Sequence, residues 1–266
     1  MHVHFLDPYR SRSSPIHRLD PRVKLVIALA FILTTALTPV GAWPIYVLLL
    51  AVVVSVALLA DLGVRYVWGR AILAFPFILA AFPIIFTAGG PYLTEIQVWQ
   101  WTLQISIPGL ERFMSIAFKS WISVQAAILL ASTTPFPDLL VAMRAIRIPG
   151  ILVSIFGLMW RYLFVLADEA LRLNRARAAR SGNSGNPEIK TGGKLSWRAR
   201  VAGGMAGSLF LRAYDRSDRI YAAMLSRGYD GEIRSLPLPV LEGSQILILA
   251  ASMIALAVLL VLSYSL

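Results

Sequence analysis

The chain has 266 residues, 58% of them hydrophobic, and a mean hydropathy of +0.70. Charged residues make up 15%, well short of the quarter usual in soluble domains, yet the net charge is +11. A soluble fold is excluded. Cysteine is absent, which removes disulfides, thiolate metal sites and cysteine nucleophiles.

The first 24 residues hold five Lys/Arg, three His and two Asp with no apolar core, so no cleavable signal peptide is expected. Apolar runs then follow from Val23 to Val40, Ala42 to Ala60 and Ala71 to Ala88, each near the roughly 20 residues needed to cross a bilayer. Pro76 and Pro83 should kink the third run. From Trp99 to Ile107 apolar and polar residues alternate strictly, which predicts a short extracytoplasmic β element near 96–107. A fourth run, about Phe113 to Ser132, carries Lys119 and Gln125 inside it. The last run, Ile246 to Leu262, nearly closes the chain. The reading is an all-α integral membrane protein with about five transmembrane helices.

Basic residues set the orientation. Sixteen of the 25 Lys/Arg fall in residues 133–235, five in residues 1–24, and none in loops 39–44 and 89–108. The N-terminus is therefore expected in the cytoplasm and the C-terminus outside. Residues 1–132 hold the N-terminal segment and four spans, 133–235 a cytoplasmic module, and 236–266 the last span. Within the module, helices are expected at about 135–147, 151–180 and 197–226. The first half of 151–180 is nearly all apolar apart from Arg161: a sixth span is one reading, but Arg161 and the distribution of basic residues favour an embedded or interfacial helix.

The third of these helices carries Gly203 and Gly207 at GxxxG spacing, followed by Phe210, Tyr214 and Tyr221 at three-, four- and seven-residue steps. This pattern predicts a helix-packing seam. The second and third helices both end in an arginine among small residues: Ala179-Arg180-Ser181 and Ser226-Arg227-Gly228. For either arginine alone, neutralisation of the helix C-terminus or contact with anionic lipid headgroups is a sufficient reading. Two such tips together suit bidentate docking to a partner's carboxylates.

Four stretches in order, SPIHRLDPRVKL, TTPFPDLLVAMRAIRIP, DEALRLNRARAARS and AAMLSRGYDG, resemble the transmembrane T component of energy-coupling-factor transporters, in particular the CbiQ-type subunit of cobalt importers. The two tripeptides stand where that family has its paired Ala-Arg-Gly-like motifs, although neither is plain Ala-Arg-Gly. The resemblance implies that they end coupling helices seated on a pair of cytoplasmic ATPase subunits. It also implies a membrane substrate-binding subunit of the cobalt type, with a small accessory membrane subunit as a further candidate. The expected site is the bacterial inner membrane. No cofactor is expected on this chain: ATP and Mg would act in the ATPases, and cobalt or nickel in the substrate-binding subunit. Nucleic acid is not an expected partner.

Other chemistry has weaker support. No GxxxxGK[ST] motif is present, so the chain is not expected to hydrolyse ATP. His2, His4 and His17 are too few and too N-terminal to favour a metal site. Asp215 and Asp218 more simply pair with neighbouring arginines, such as Asp215 with Arg219. Lys119 is a functional candidate by position alone. The alternatives to a metal importer are a T component serving vitamin-type substrate subunits and a stand-alone membrane enzyme or lipid-binding protein.

Overall fold

The computed structural model describes residues 8–87, 89, 91–98, 101–180, 194–231 and 240–265. Its described residues form two compact units, one of residues 8–146 with 240–265 and the other of residues 147–180 with 194–231.

The first unit opens with a single helical turn, α1 (Pro15–Arg18), capped by the Ser14 hydroxyl, which accepts from the His17 amide at 3.3 Å. Asp20 starts α2 (Pro21–Leu37) in the same way, its carboxylate accepting from the Arg22 amide at 2.8 Å, with Pro21 in the first turn. Thr38 is forced out of helix by Pro39 and ends α2 with an extended backbone. The next helix, α3 (Trp43–Leu59), again has proline in its first turn. The third apolar run starts earlier than its composition suggested and is broken. It consists of α4 (Val64–Arg70), a 3-10 turn (Ala71–Ala74), α5 (Phe75–Ala81) and α6 (Ile84–Thr87). Pro76 lies in the first turn of α5 and Pro83 in the gap before α6, as the loss of their amide donors requires.

The β element is an antiparallel hairpin of β1 (Tyr92–Val98) and β2 (Trp101–Ser106), with Val98 opposite Trp101. It begins before the alternating stretch, and Ile107 already belongs to α7 (Ile107–Thr133). A short α8 (Phe136–Ala145) packs on α2, and α11 (Gly243–Ser265) closes the unit against α2 and α3. The units divide at Arg147 and not at 133. The reason is α8: it buries Ala142 and lies against α2, so it belongs to the first unit.

The core follows the helical repeat of α3. Ile45, Leu49, Val53 and Ala57, four residues apart, are all buried, and meet Phe31 of α2, Val67 of α4, Ile122 and Leu129 of α7, and Leu256 of α11. Several polar groups inside this unit turn to carbonyls, as a bilayer favours, whereas the side chains of Gln125, Ser132 and Thr134 are buried without a hydrogen-bond partner among the described residues. Thr34, Thr35 and Thr38 each donate to the carbonyl four residues back, at 2.8 to 2.9 Å. Lys24, near the start of α2, donates to the last carbonyl of α7 (Thr133 O) and to His17 O, both at 3.1 Å. Lys119 of α7 reciprocates at the other end of α2, donating to Ala36 O at 3.3 Å and to Thr38 O. Each lysine thus caps the negative end of the other's helix.

The second unit contains two 31-residue helices, α9 (Gly150–Arg180) and α10 (Leu195–Leu225). By length and composition α9 can cross a membrane, as can Val64–Thr87, α7 and α11, while α3 is a shorter apolar helix. The expected spans include α2 and α3, whereas the first half of α9 is expected to be embedded or interfacial; its length and hydropathy are instead those of a span. The apolar half of α9 carries only Arg161, which does not lower its hydropathy enough to separate it from a span.

Candidate functional site

The two arginine tips differ in construction. In α9, Arg177 and Arg180 lie in the last turn, where the unpaired carbonyls favour cations. Ala179 and Arg180 are exposed; Ser181 lies outside the described residues. The end of α10 is fully defined. Gly228 takes a left-handed backbone at φ +79. Its amide donates to Leu225 O and the Tyr229 amide to Met224 O, both at 3.0 Å. This pair of bonds is a Schellman motif with Gly228 just past the cap. Ser226 turns its hydroxyl back to Ala223 O at 2.9 Å, so it caps and does not project. Arg227 is the last residue before the chain reverses. It is exposed and makes no salt bridge among the described residues.

The two helices meet at one zone. Arg212 Nη1 of α10 lies 2.6 Å from Glu169 Oε1 of α9, beside a cleft lined by Leu166, Leu209 and Ala213. Arg180 is eleven residues beyond Glu169 and Arg227 fifteen beyond Arg212, or ~16 Å and ~22 Å along the helix axes. Each tip therefore stands at the end of a lever.

The packing seam expected on α10 is not what holds it to α9. A Cβ at Gly203 or Gly207 would meet nothing within 4 Å. Phe210, Tyr214 and Tyr221 are 68%, 57% and 56% exposed. The face that meets α9 is a different stripe, Leu209, Arg212, Ala213 and Arg216, about 140° round the helix. Nor does Asp215 pair with Arg219 among the described residues; the ion pair runs across helices, from Arg212 to Glu169. That stripe has its own i, i+3, i+4, i+7 spacing, a signal the more conspicuous aromatics outweighed.

The other candidates resolve locally. His2 and His4 lie outside the described residues. His17 bonds to the Ser14 hydroxyl through Nδ1 at 2.7 Å and to Arg10 O through Nε2 at 2.9 Å. Burial, helped by the positive charges of Lys24 and Arg12, holds its pKa below the ordinary 6.5 against the opposing Arg10 bond. Lys119 is a helix cap. Asp215 and Asp218 are exposed on α10.

The family model described as "Cobalt transport protein", CbiQ, matches residues 12–237. The chain is 30% identical to the cobalt transport protein CbiQ of Rhodobacter capsulatus, over 70% of this chain and 71% of that protein. It is 27% identical to the energy-coupling factor transporter transmembrane protein EcfT of Lactococcus lactis, over 84% and 83% of the two chains. An uncharacterised protein of Methanocaldococcus jannaschii is 25% identical over 84% of this chain and 80% of its own. With apolar helices of spanning length and a match over most of its residues, the chain belongs to the CbiQ family and is a multi-pass transmembrane T component of the energy-coupling-factor type.

Proposed function

We propose that this protein is the non-catalytic coupling subunit of an ATP-driven importer of a divalent transition metal, with cobalt the first candidate. Arg180 and Arg227, with Ala179, Ser181, Ser226 and Gly228 around them, seat on a pair of cytoplasmic ATPase subunits. The observation that carries this reading is the tip of α10: a glycine-locked Schellman turn leaves Arg227 exposed and without a carboxylate partner among the described residues. A guanidinium held in this way is ready for a bidentate acid on another protein.

Motion follows from the levers. Closure of the ATPase pair displaces the tips, and α9 and α10 carry the displacement towards a separate substrate-binding membrane subunit. The open Gly203–Gly207 strip and the exposed Phe210, Tyr214 and Tyr221 support a further helix docking there. The metal is cargo of that subunit. Likeness to EcfT as well as CbiQ proteins keeps a T component for vitamin-type subunits as the second reading.

The test is co-purification in detergent with the cognate ATPase pair, comparing wild type with Arg180→Glu and Arg227→Glu. Loss of the ATPase from both variants, with unchanged thermal unfolding, supports the docking role. Undiminished binding by both makes the arginines helix-end or lipid charges. Uptake of radiolabelled cobalt by the assembled complex then separates the metal from the vitamin reading.

A further inference from the structure

We propose that the cleft between α2, α3, α7 and α11 is a site for one acyl chain of an anionic phospholipid, whose phosphate lies at the basic end of the first unit. The cavity is about 280 Å3 and its walls include Phe31, Val52, Val56, Leu129 and Ile248. This is nearly twice the ~150 Å3 of an apolar cavity that stays dry and admits benzene. Val52 and Ile248 remain 39% and 40% exposed. Two of the three polar residues in the wall are turned away from the space: Thr133 and Ser252 donate to Leu129 O and Leu249 O, each at 2.8 Å. An apolar space of this kind does not hold water, whereas a lipid tail is as apolar as the wall.

The third polar residue fixes the direction of the lipid. Lys24 is buried, and two of its three ammonium donors go to His17 O and Thr133 O, leaving one with no partner among the described residues. Two arginines are tied to this end by contact: the Arg10 amide donates to Ser132 O at 3.0 Å, and the Arg10 and Arg70 guanidiniums lie 3.8 and 4.7 Å from the centre of the Tyr66 ring. Four more stand near it in the chain: Arg18 beside Leu19 of the wall, Arg22 in the first turn of α2, Arg65 beside Tyr66, and Arg12. The acids there are fewer. Asp61 faces Arg12 at 3.8 Å, Asp20 faces Arg22 at 3.7 Å, and Asp138 and Asp20 act on Lys24. Arg10, Arg18, Arg65 and Arg70 have no carboxylate partner among the described residues. An apolar slot that opens beside uncompensated cations is complementary to a negatively charged headgroup on an acyl chain.

The purified full chain, stripped of lipid and exchanged into equimolar phosphatidylglycerol and phosphatidylcholine, is assayed for retained lipid by native mass spectrometry. Wild type should retain phosphatidylglycerol in preference. Arg18→Gln, at an exposed position, should cut that preference about fivefold, the effect of one basic residue near a charged surface. Ala28→Phe, which puts a ring into the cavity, should abolish retention of both lipids. Ala28→Leu, a smaller filler, is measured beside it so that a misfolded ring variant does not decide the matter. Equal retention of the two lipids by wild type, or undiminished retention by folded Ala28 variants, overturns the proposal. A lipid-free dimer overturns it too and assigns the cleft to a second copy of the chain.

Discussion

Gly109 and Gly207 both sit inside long helices, and alanine at the two positions should act with opposite sign. At Gly109, in the first turns of α7, an added Cβ would lie 2.8 Å from Ile85 O, 2.9 Å from Ile84 O and 3.1 Å from Ile85 C. These are backbone atoms of α6, which cannot rotate aside as a side chain can. Ordinary carbon contacts need ~3.5 Å or more, so α7 and α6 must separate by about half an ångström. Overpacking of this kind costs ~1–3 kcal/mol, offset in part by the ~0.5–1 kcal/mol that alanine gains over glycine within a helix. At Gly207 nothing lies within 4 Å, so only the helical gain remains. Thermal unfolding of the purified chain in detergent reads the difference, at ~2–4 °C per kcal/mol for a chain of this size. Gly109→Ala should lower the midpoint by ~2–6 °C, while Gly207→Ala should leave it unchanged or raise it by ~1–4 °C. A midpoint lowered equally by both variants would falsify the reasoning, because it would mean that Gly207 is already packed within this chain. If the α10 face seats a partner helix, Gly207→Ala should weaken the assembled transporter while sparing the isolated subunit.

Lys119→Met leaves Ala36 O and Thr38 O without their ammonium donor and should cost ~1–3 kcal/mol in thermal unfolding. Lys24 caps the far end of the same helix pair, at the last carbonyl of α7, so Lys24→Met should add to it; strong non-additivity would show that the two caps are one network. Gly228→Ala places a side chain at φ +79 in open space, costing ~1–2 kcal/mol of backbone strain. Hydrogen exchange at the Gly228 and Tyr229 amides should then speed up about tenfold, and unchanged exchange would refute the Schellman assignment. His17 favours its neutral form in the fold, so the unfolded chain binds more protons between the folded pKa and 6.5. Stability should be complete above 6.5 and decline as pH falls below it. His17→Gln should remove that part of the decline, and an identical pH profile in the variant would exclude His17 as its source.

The sequence was most informative where one physical rule acts alone. Pro76 and Pro83 break the third apolar run because no packing can restore their missing donors. Strict alternation announced the hairpin but not its first strand, since Tyr92–Val98 pairs through its backbone and alternates less cleanly. The function of Lys119 was not legible. Its meaning depends on Ala36 O and Thr38 O, 83 and 81 residues away, which the chain brings close only once α2 and α7 lie side by side. The interhelical face of α10 was misread for a related reason. Aromatics at helical spacing mark a face that wants a partner, and nothing in the spacing says whether that partner lies in the same chain.

The last point bears on how this subunit is built. Among the described residues α10 buries none of its 31, and α9 buries only Val153 and Ser154. In the first unit, by contrast, α3 buries five residues and α7 eight. Helices this long can persist on backbone propensity, but their relative position needs contacts, and among the described residues these include the Arg212–Glu169 pair and a narrow cleft beside it. Arg212 is 60% exposed, and a pair so solvated contributes at most about 1 kcal/mol. A coupling element has reason to be arranged in this way. Levers locked by their own core could not be moved by a partner, whereas levers joined at one weak crossing take their angle from whatever holds the tips. On the proposed reading, the ATPase pair sets that angle through Arg180 and Arg227. Charge reversal at Glu169 and Arg212 together should therefore leave ATPase binding intact, because the partner sets the angle of the tips and the crossing is part of neither contact.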